Sequence, residues 1–175
     1  MEKEIYIHYG SKGFDQNLFK ERRYMLSNKP DQGLWASKIN DEFGWRKWCE
    51  KRKYELDLLK QSFKFTISEN AKIMQIKGVE VSDELKHYIN NGAIGTYLFG
   101  LYISREGDQK MIDQKMIDFD RMIKDGYDGI EFTITETPFW NNETDTRNIL
   151  WDMMYGWDCN SIVIFNPDII EEIDK

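Results

Sequence analysis

Ile5-Tyr6-Ile7-His8-Tyr9-Gly10, followed directly by Ser11-Lys12-Gly13, is the stretch on which the reading of this chain turns. Alternation makes residues 5–10 a β-strand, with Ile5, Ile7 and Tyr9 facing one way and Tyr6, His8 and Gly10 the other. The glycines that follow run the strand into a loop. His8 and Gly10 therefore share a face at the strand's end. An imidazole can hydrogen-bond a hydroxyl, and a residue without Cβ lets a flat ligand approach the backbone. A half-exposed strand histidine with no chemistry has the same pattern, and these residues alone leave both readings open.

Around that strand, 175 residues are expected to form a single domain, residues 1–175, with a sizeable core. Hydrophobic residues at 41% and charged residues at 31% describe a globular chain. The 14% aromatic content supplies flat surfaces for packing or ring stacking. The net charge of −7 disfavours a nucleic-acid target, because phosphate attraction dominates that affinity. Cys49 and Cys159 lack metal or redox spacing, and two histidines are too few for a His-rich site, so no metal is expected. Met1-Glu2-Lys3-Glu4 has no signal-peptide character, and the apolar run Ala93–Ile103 is too short to cross a bilayer. The expectation is a cytoplasmic protein with no membrane partner.

Further along, Asn17–Ser27 reads as a short helix, residues 28–33 as a loop and Leu34-Trp35-Ala36-Ser37 as a strand. Phe43–Gln61 reads as one amphipathic helix with Trp45, Trp48, Cys49, Leu56 and Leu59 at helical spacing. Arg46, Lys47, Lys51, Arg52 and Lys53 make it the one basic, aromatic-rich patch on an acidic chain, either a solvated face or a contact for phosphate or an acidic partner. Strands are predicted over 63–67 and 71–76, then a helix from Ser82 to Asn91 with Ser82 as its cap. Gln-Lys-Met-Ile-Asp occurs twice in succession, at 109–113 and 114–118, and reads as lengthening one helix, or the approach to it, that ends at Gly126. A strand over 130–134, a loop from Thr135, an apolar helix over 149–155, a last strand over 161–165 and a short acidic tail complete the chain. The uneven interleaving predicts an α+β fold, a split mixed or antiparallel sheet with flanking helices.

No P-loop, His-Glu-x-x-His or Gly-x-Ser-x-Gly motif is present. What remains is an ordered set: His8 with Gly10, then Trp35-Ala36-Ser37, Glu131 on a strand, and Asp158 before the last strand. With Gly126-Tyr127-Asp128-Gly129-Ile130 and the closing Ser161–Pro167, this order resembles the ADP-ribosyltransferase superfamily across residues 5–168. The resemblance implies an ADP-ribosyltransferase-like fold and NAD as the molecule consumed. It implies a first-strand His and Gly holding the nicotinamide ribose and carboxamide, and a second-strand aromatic and Ser supporting the pocket. Here Tyr9 separates His8 from Gly10. Where the family has a glutamate at the last strand, this chain has Asp158, Cys159 and Asn160.

Breaking the nicotinamide–ribose bond builds positive charge on the sugar, which a nearby carboxylate stabilises. Asp158 and Glu131 are the candidate catalytic acids, Asp158 the preferred one because a glycine turn exposes it. Glu131 alternates away from Ile130 and Phe132, onto a face that is either cleft or solvent. His8, Tyr9, Gly10, Trp35, Ser37 and Asn160 are the candidate NAD-binding residues, and His8, Gly10, Trp35 and Ser37 are expected to line one cleft. The implied activity is mono-ADP-ribosylation of a macromolecule, foremost a protein, in a toxin or anti-defence setting. The alternative is a catalytically weak nucleotide-binding or protein-interaction module.

Overall fold

The computed structural model describes residues 3–19, 29–30, 32–77, 81–92, 114–133, 154 and 157–173. The main feature is a seven-stranded mixed sheet in the order β4-β7-β8-β2-β1-β3-β9. Its strands are β1 (Tyr6–Tyr9), β2 (Leu34–Lys38), β3 (Ser62–Ile67), β4 (Ile73–Lys77), β7 (Gly129–Thr133), β8 (Ser161–Ile164) and β9 (Ile170–Glu172). Strands β4 and β7 run parallel, and every other neighbouring pair is antiparallel. A separate ribbon joins β5 (Ile89–Gly92) to β6 (Gln114–Ile117). With α1 (Trp45–Arg52), α2 (Asp83–Lys86) and α3 (Phe119–Lys124), this is an α+β architecture.

Strand β2 is the joint between two halves of the sheet. Its first residues pair with β8 (Leu34↔Ile164, Trp35↔Val163, Ala36↔Ile162), and its last with β1 (Ile7↔Ser37, Tyr6↔Lys38). Both faces of the sheet are covered, so several strands are apolar on both sides. One face carries Met74, Ile76, Ile130, Phe132 and Val163 against Phe119 and Met122 of α3, Tyr127, Met154 and Trp157. The other carries Tyr6, Leu34, Ala36, Phe63, Phe65, Ile162 and Ile164 against Ile169, Phe14, Leu18 and Phe19.

Four elements differ from the sequence reading. The helix predicted over 43–61 stops at Arg52, because Lys53 turns left-handed (φ 54°) and the chain reverses before a 3₁₀ turn at Leu58–Lys60. The helix capped by Ser82 is a single turn, after which the chain extends into β5. The second copy of the duplicated pentapeptide is a strand, not helix, and Asp118 caps the helix that follows by accepting the Arg121 N–H. The acidic tail supplies β9, an edge strand on β3. The readings placed on 20–28, 93–113, 134–153 and 155–156 lie outside the described residues. Among the described residues no helix is long and apolar enough to cross a membrane.

Candidate functional site

The β1–β2 ladder ends at Ile7↔Ser37, while β1 stays paired with β3 through Tyr9↔Ser62 and the Gly10 N–H donates to the Gln61 carbonyl at 2.8 Å. The two strands therefore fork at His8. The Ile39 N–H donates to the Ile5 carbonyl, so alternate residues along β1 and β2 exchange backbone hydrogen bonds, and Trp35 is next in that series after Ser37. Its carbonyl is turned toward β1 at the point where the ladder has stopped. The His8 side chain meets it, with Nδ1 2.7 Å from the Trp35 oxygen. A carbonyl can only accept, so Nδ1 carries the proton and Nε2 of the neutral ring is an acceptor. Phe63 packs against the same ring, with centroids 5.3 Å apart.

At the end of the β1 arm, Gly10 has φ 105°, a conformation that disfavours any side chain. Among the described residues, the nearest atom beyond its chain neighbours to the place a Cβ would occupy is a Leu58 methyl carbon, 3.9 Å away. Tyr9 is half-buried beside the Arg46 guanidinium of α1; burial raises its pKa and Arg46 works against that rise.

On the other arm, Trp35 lies against Trp157, ring centroids 4.7 Å apart, and the Lys29 ammonium sits 5.3 Å from the Trp35 centroid. Burial lowers the Lys29 pKa, and the Asp158 carboxylate and Cys159 oppose that shift. Asp158 itself is exposed. It also adds to the upward shift of the Tyr54 hydroxyl, which Glu55 dominates. The Asp158 carboxylate is thus near enough to both the Lys29 ammonium and the Tyr54 hydroxyl to act on their charge.

Register separates His8 from Trp35 and Ser37. Ser37 pairs with Ile7, so Ser37 and Trp35 share the face of Ile7 and Tyr9, whereas His8 shares that of Tyr6. The expected shared cleft is reduced to an edge: His8 reaches Trp35 through its backbone, not its ring. Ser37 is buried, and its hydroxyl donates to the Asn160 carbonyl at 2.8 Å and accepts the Trp45 N–H at 3.0 Å. Gly44 carries no side chain to cap α1, so this hydroxyl of a neighbouring strand does it. Asn160 is buried too, donating its amide to Asp41 at 3.0 Å and its backbone N–H to the Phe43 carbonyl at 2.9 Å. Ser37 and Asn160 weld β2, β8 and the start of α1 together behind the fork.

Glu131 lies deeper in the sheet. Its carboxylate accepts from the Tyr6 hydroxyl (3.2 Å) and the Gln75 amide (2.9 Å) and pairs with Lys38 (3.4 Å). Burial works against the Lys38 charge, but Glu131 and Glu4 outweigh it and raise its pKa. Burial first, then Glu131, holds the Tyr6 hydroxyl protonated well above its ordinary range. The backbone of Glu131 is set apart from the His8 strand by β8 and β2, and the Tyr6 side chain of that strand spans the gap to reach its carboxylate. Glu131 shares a face with Tyr6 and Lys38 as the anchor of a buried polar network.

Both cysteines are buried, and no group of His, Cys, Asp or Glu among the described residues is arranged to hold a metal. Burial pushes the Cys49 thiol up to about 11, with Glu55 and Glu50 adding, and the Cys159 thiol up to about 12, against the pull of the Ser161 hydroxyl. Free thiols ionise near ~8.5. Above that pH the unfolded chain sheds protons that the fold keeps. The unfolded state then binds fewer protons, and stability falls as pH rises. Urea denaturation between about pH 8.5 and 10, below the ionisation of most unfolded-chain tyrosines, is expected to show this loss, with a shallower slope in Cys159→Ala. An unchanged slope would mean that the folded thiols ionise normally.

No protein-family model, curated protein or solved structure matches the chain.

Proposed function

We propose that the chain is an NAD-dependent mono-ADP-ribosyltransferase of the ADP-ribosyltransferase fold, acting on a protein. The observation that carries this reading is the fork after Ile7↔Ser37, where a strand histidine bonded to the Trp35 carbonyl stands two residues from a glycine of positive φ. The residues present fit NAD. His8 is an imidazole suited to a ribose hydroxyl, Gly10 sets no side chain of its own against a flat carboxamide-bearing ring, and Lys29 places a cation over Trp35. When bound, NAD supplies a glycosidic bond whose cleavage leaves positive charge on the ribose. Asp158 is the carboxylate assigned to stabilise that charge, since it is exposed just before β8 and acts on the charge of Lys29, which stands over Trp35. Ser37 and Asn160 act behind these groups by fixing where β8 begins.

A second reading rests on Asn160. Its neutral amide is committed to Asp41, so that position contributes no acid, and the fold would then bind nucleotide without turning it over. Incubation with NAD labelled in the adenylate half, together with candidate protein acceptors, separates the two. Label transfer and nicotinamide release above a His8→Ala control support the transferase. Binding without release supports the second reading, and neither binding nor release removes both.

A further inference from the structure

Among the described residues the exposed large apolar side chains are Tyr54, Leu56 and Leu58, at 45%, 45% and 41% exposure. All three fall in the segment directly after α1. Next to them Trp45 and Trp48 stack, with centroids 5.1 Å apart and planes 16° apart, and Tyr54 stands edge-on to both. Exposed Arg46, Lys47, Arg52 and Lys53 border this surface. Residues 45–60 hold six basic and three acidic side chains on a chain of net charge −7. Apolar groups clustered in solvent and rimmed by charge mark interaction surfaces. The position argues the same: a Leu58 methyl approaches Gly10 on one arm of the fork, and Tyr54 feels Asp158. The ridge therefore adjoins the Gly10 end of the fork.

We propose that the Trp45–Leu58 ridge docks an acidic polypeptide segment bearing leucine or aromatic side chains, and that this segment belongs to the protein acceptor. Only the word acceptor rests on the transferase reading. A polypeptide fits better than nucleic acid for two reasons on the surface itself. Beside the rings of Trp45, Trp48 and Tyr54, Leu56 and Leu58 add exposed aliphatic groups on which a base does not stack, and Glu50, Glu55 and Asp57 interrupt the basic stripe that a phosphate backbone would follow.

The test is fluorescence anisotropy, without NAD, using a labelled synthetic peptide that alternates Asp or Glu with Leu and Phe. The comparison probes are the same peptide with Asn and Gln for the acids, and oligo(dT). Expected is saturable binding of the acidic peptide that weakens between low salt and ~0.5 M. Leu56→Asp should weaken it about tenfold or more, and Lys47→Glu with Arg52→Glu by a similar factor. These side chains are exposed, and an unchanged near-ultraviolet circular dichroism spectrum confirms that the variants fold. No binding of the acidic peptide, equal binding of its neutral counterpart, or tighter binding of oligo(dT) would overturn the proposal. So would sedimentation showing a dimer that Leu56→Asp dissociates, since the ridge would then be a self-interface. Nicotinamide release is measured separately. Peptide binding without it removes the transferase reading and leaves the ridge a polypeptide-binding surface.

Discussion

If the transferase proposal holds, Asp158→Ala is expected to lower turnover by about 100-fold or more, with a much smaller loss of NAD affinity, because the charge that this acid is proposed to stabilise develops in the transition state. The fold should be little affected, since Asp158 is exposed, although its removal takes away a carboxylate that favours the charge of half-buried Lys29. Glu131→Ala is expected to do the reverse. It deprives the buried Tyr6 hydroxyl and the Gln75 amide of an acceptor and leaves Lys38 with the more exposed Glu4. Losing such a partner costs about 2–4 kcal/mol, or roughly 5–15 °C in melting temperature for a chain of this size. Whatever activity the folded fraction of Glu131→Ala retains should be close to normal. Full turnover in Asp158→Ala, alongside a stable but inactive Glu131→Ala, would reverse the two assignments.

Gly33→Ala is expected to destabilise the fold severely, although it adds a single methyl group. Gly33 has φ 132°, in the range that L side chains rarely adopt. An added Cβ would lie 2.6 Å from a Val163 methyl and 2.8 Å from the Ile164 carbonyl oxygen. The oxygen belongs to β8, a buried central strand, and cannot move aside cheaply. Backbone strain of about 1–3 kcal/mol and overpacking of about 1–3 kcal/mol together give roughly 2–6 kcal/mol. The damage falls where β2 enters the sheet, so the arm of the fork that carries Trp35 should loosen as well. Chemical denaturation of the variant measures the first effect, and Trp35 indole shifts in NMR report the second. A stability within about 1 kcal/mol of the parent would show that β2 and β8 do not approach this closely.

The strands of the central sheet were legible because alternation and β-branched runs mark them locally, as in Ile5–Tyr9 and Gly129–Thr133. Less legible were features set by distant partners. Gln114–Ile117 has the composition of a helix but pairs with β5, and Ile170–Glu172 reads as a tail but extends β3. The helix from Trp45 gave no sign of stopping, since nothing in Arg52-Lys53-Tyr54 spells a left-handed residue. In the site, the positions of His8 and Gly10 followed from the pattern. The roles of Ser37 and Asn160 did not, because a buried hydroxyl that caps a neighbouring helix looks in sequence like any strand serine. The face of Glu131 was readable, but not that the face is interior, which depends on the sheet being covered on both sides. The opposite facing of His8 and Trp35 follows from a register that no single strand contains.

The most direct test is one proton NMR experiment on NAD mixed with the purified protein, recording saturation transfer to NAD protons and the growth of free nicotinamide signals. Expected is strong saturation of the nicotinamide protons, abolished in His8→Ala, with free nicotinamide appearing in the parent protein and about 100-fold more slowly in Asp158→Ala. No saturation transfer to NAD and no nicotinamide release, from a protein whose own spectrum shows it folded, would contradict the assignment of the β1–β2 fork as an NAD site.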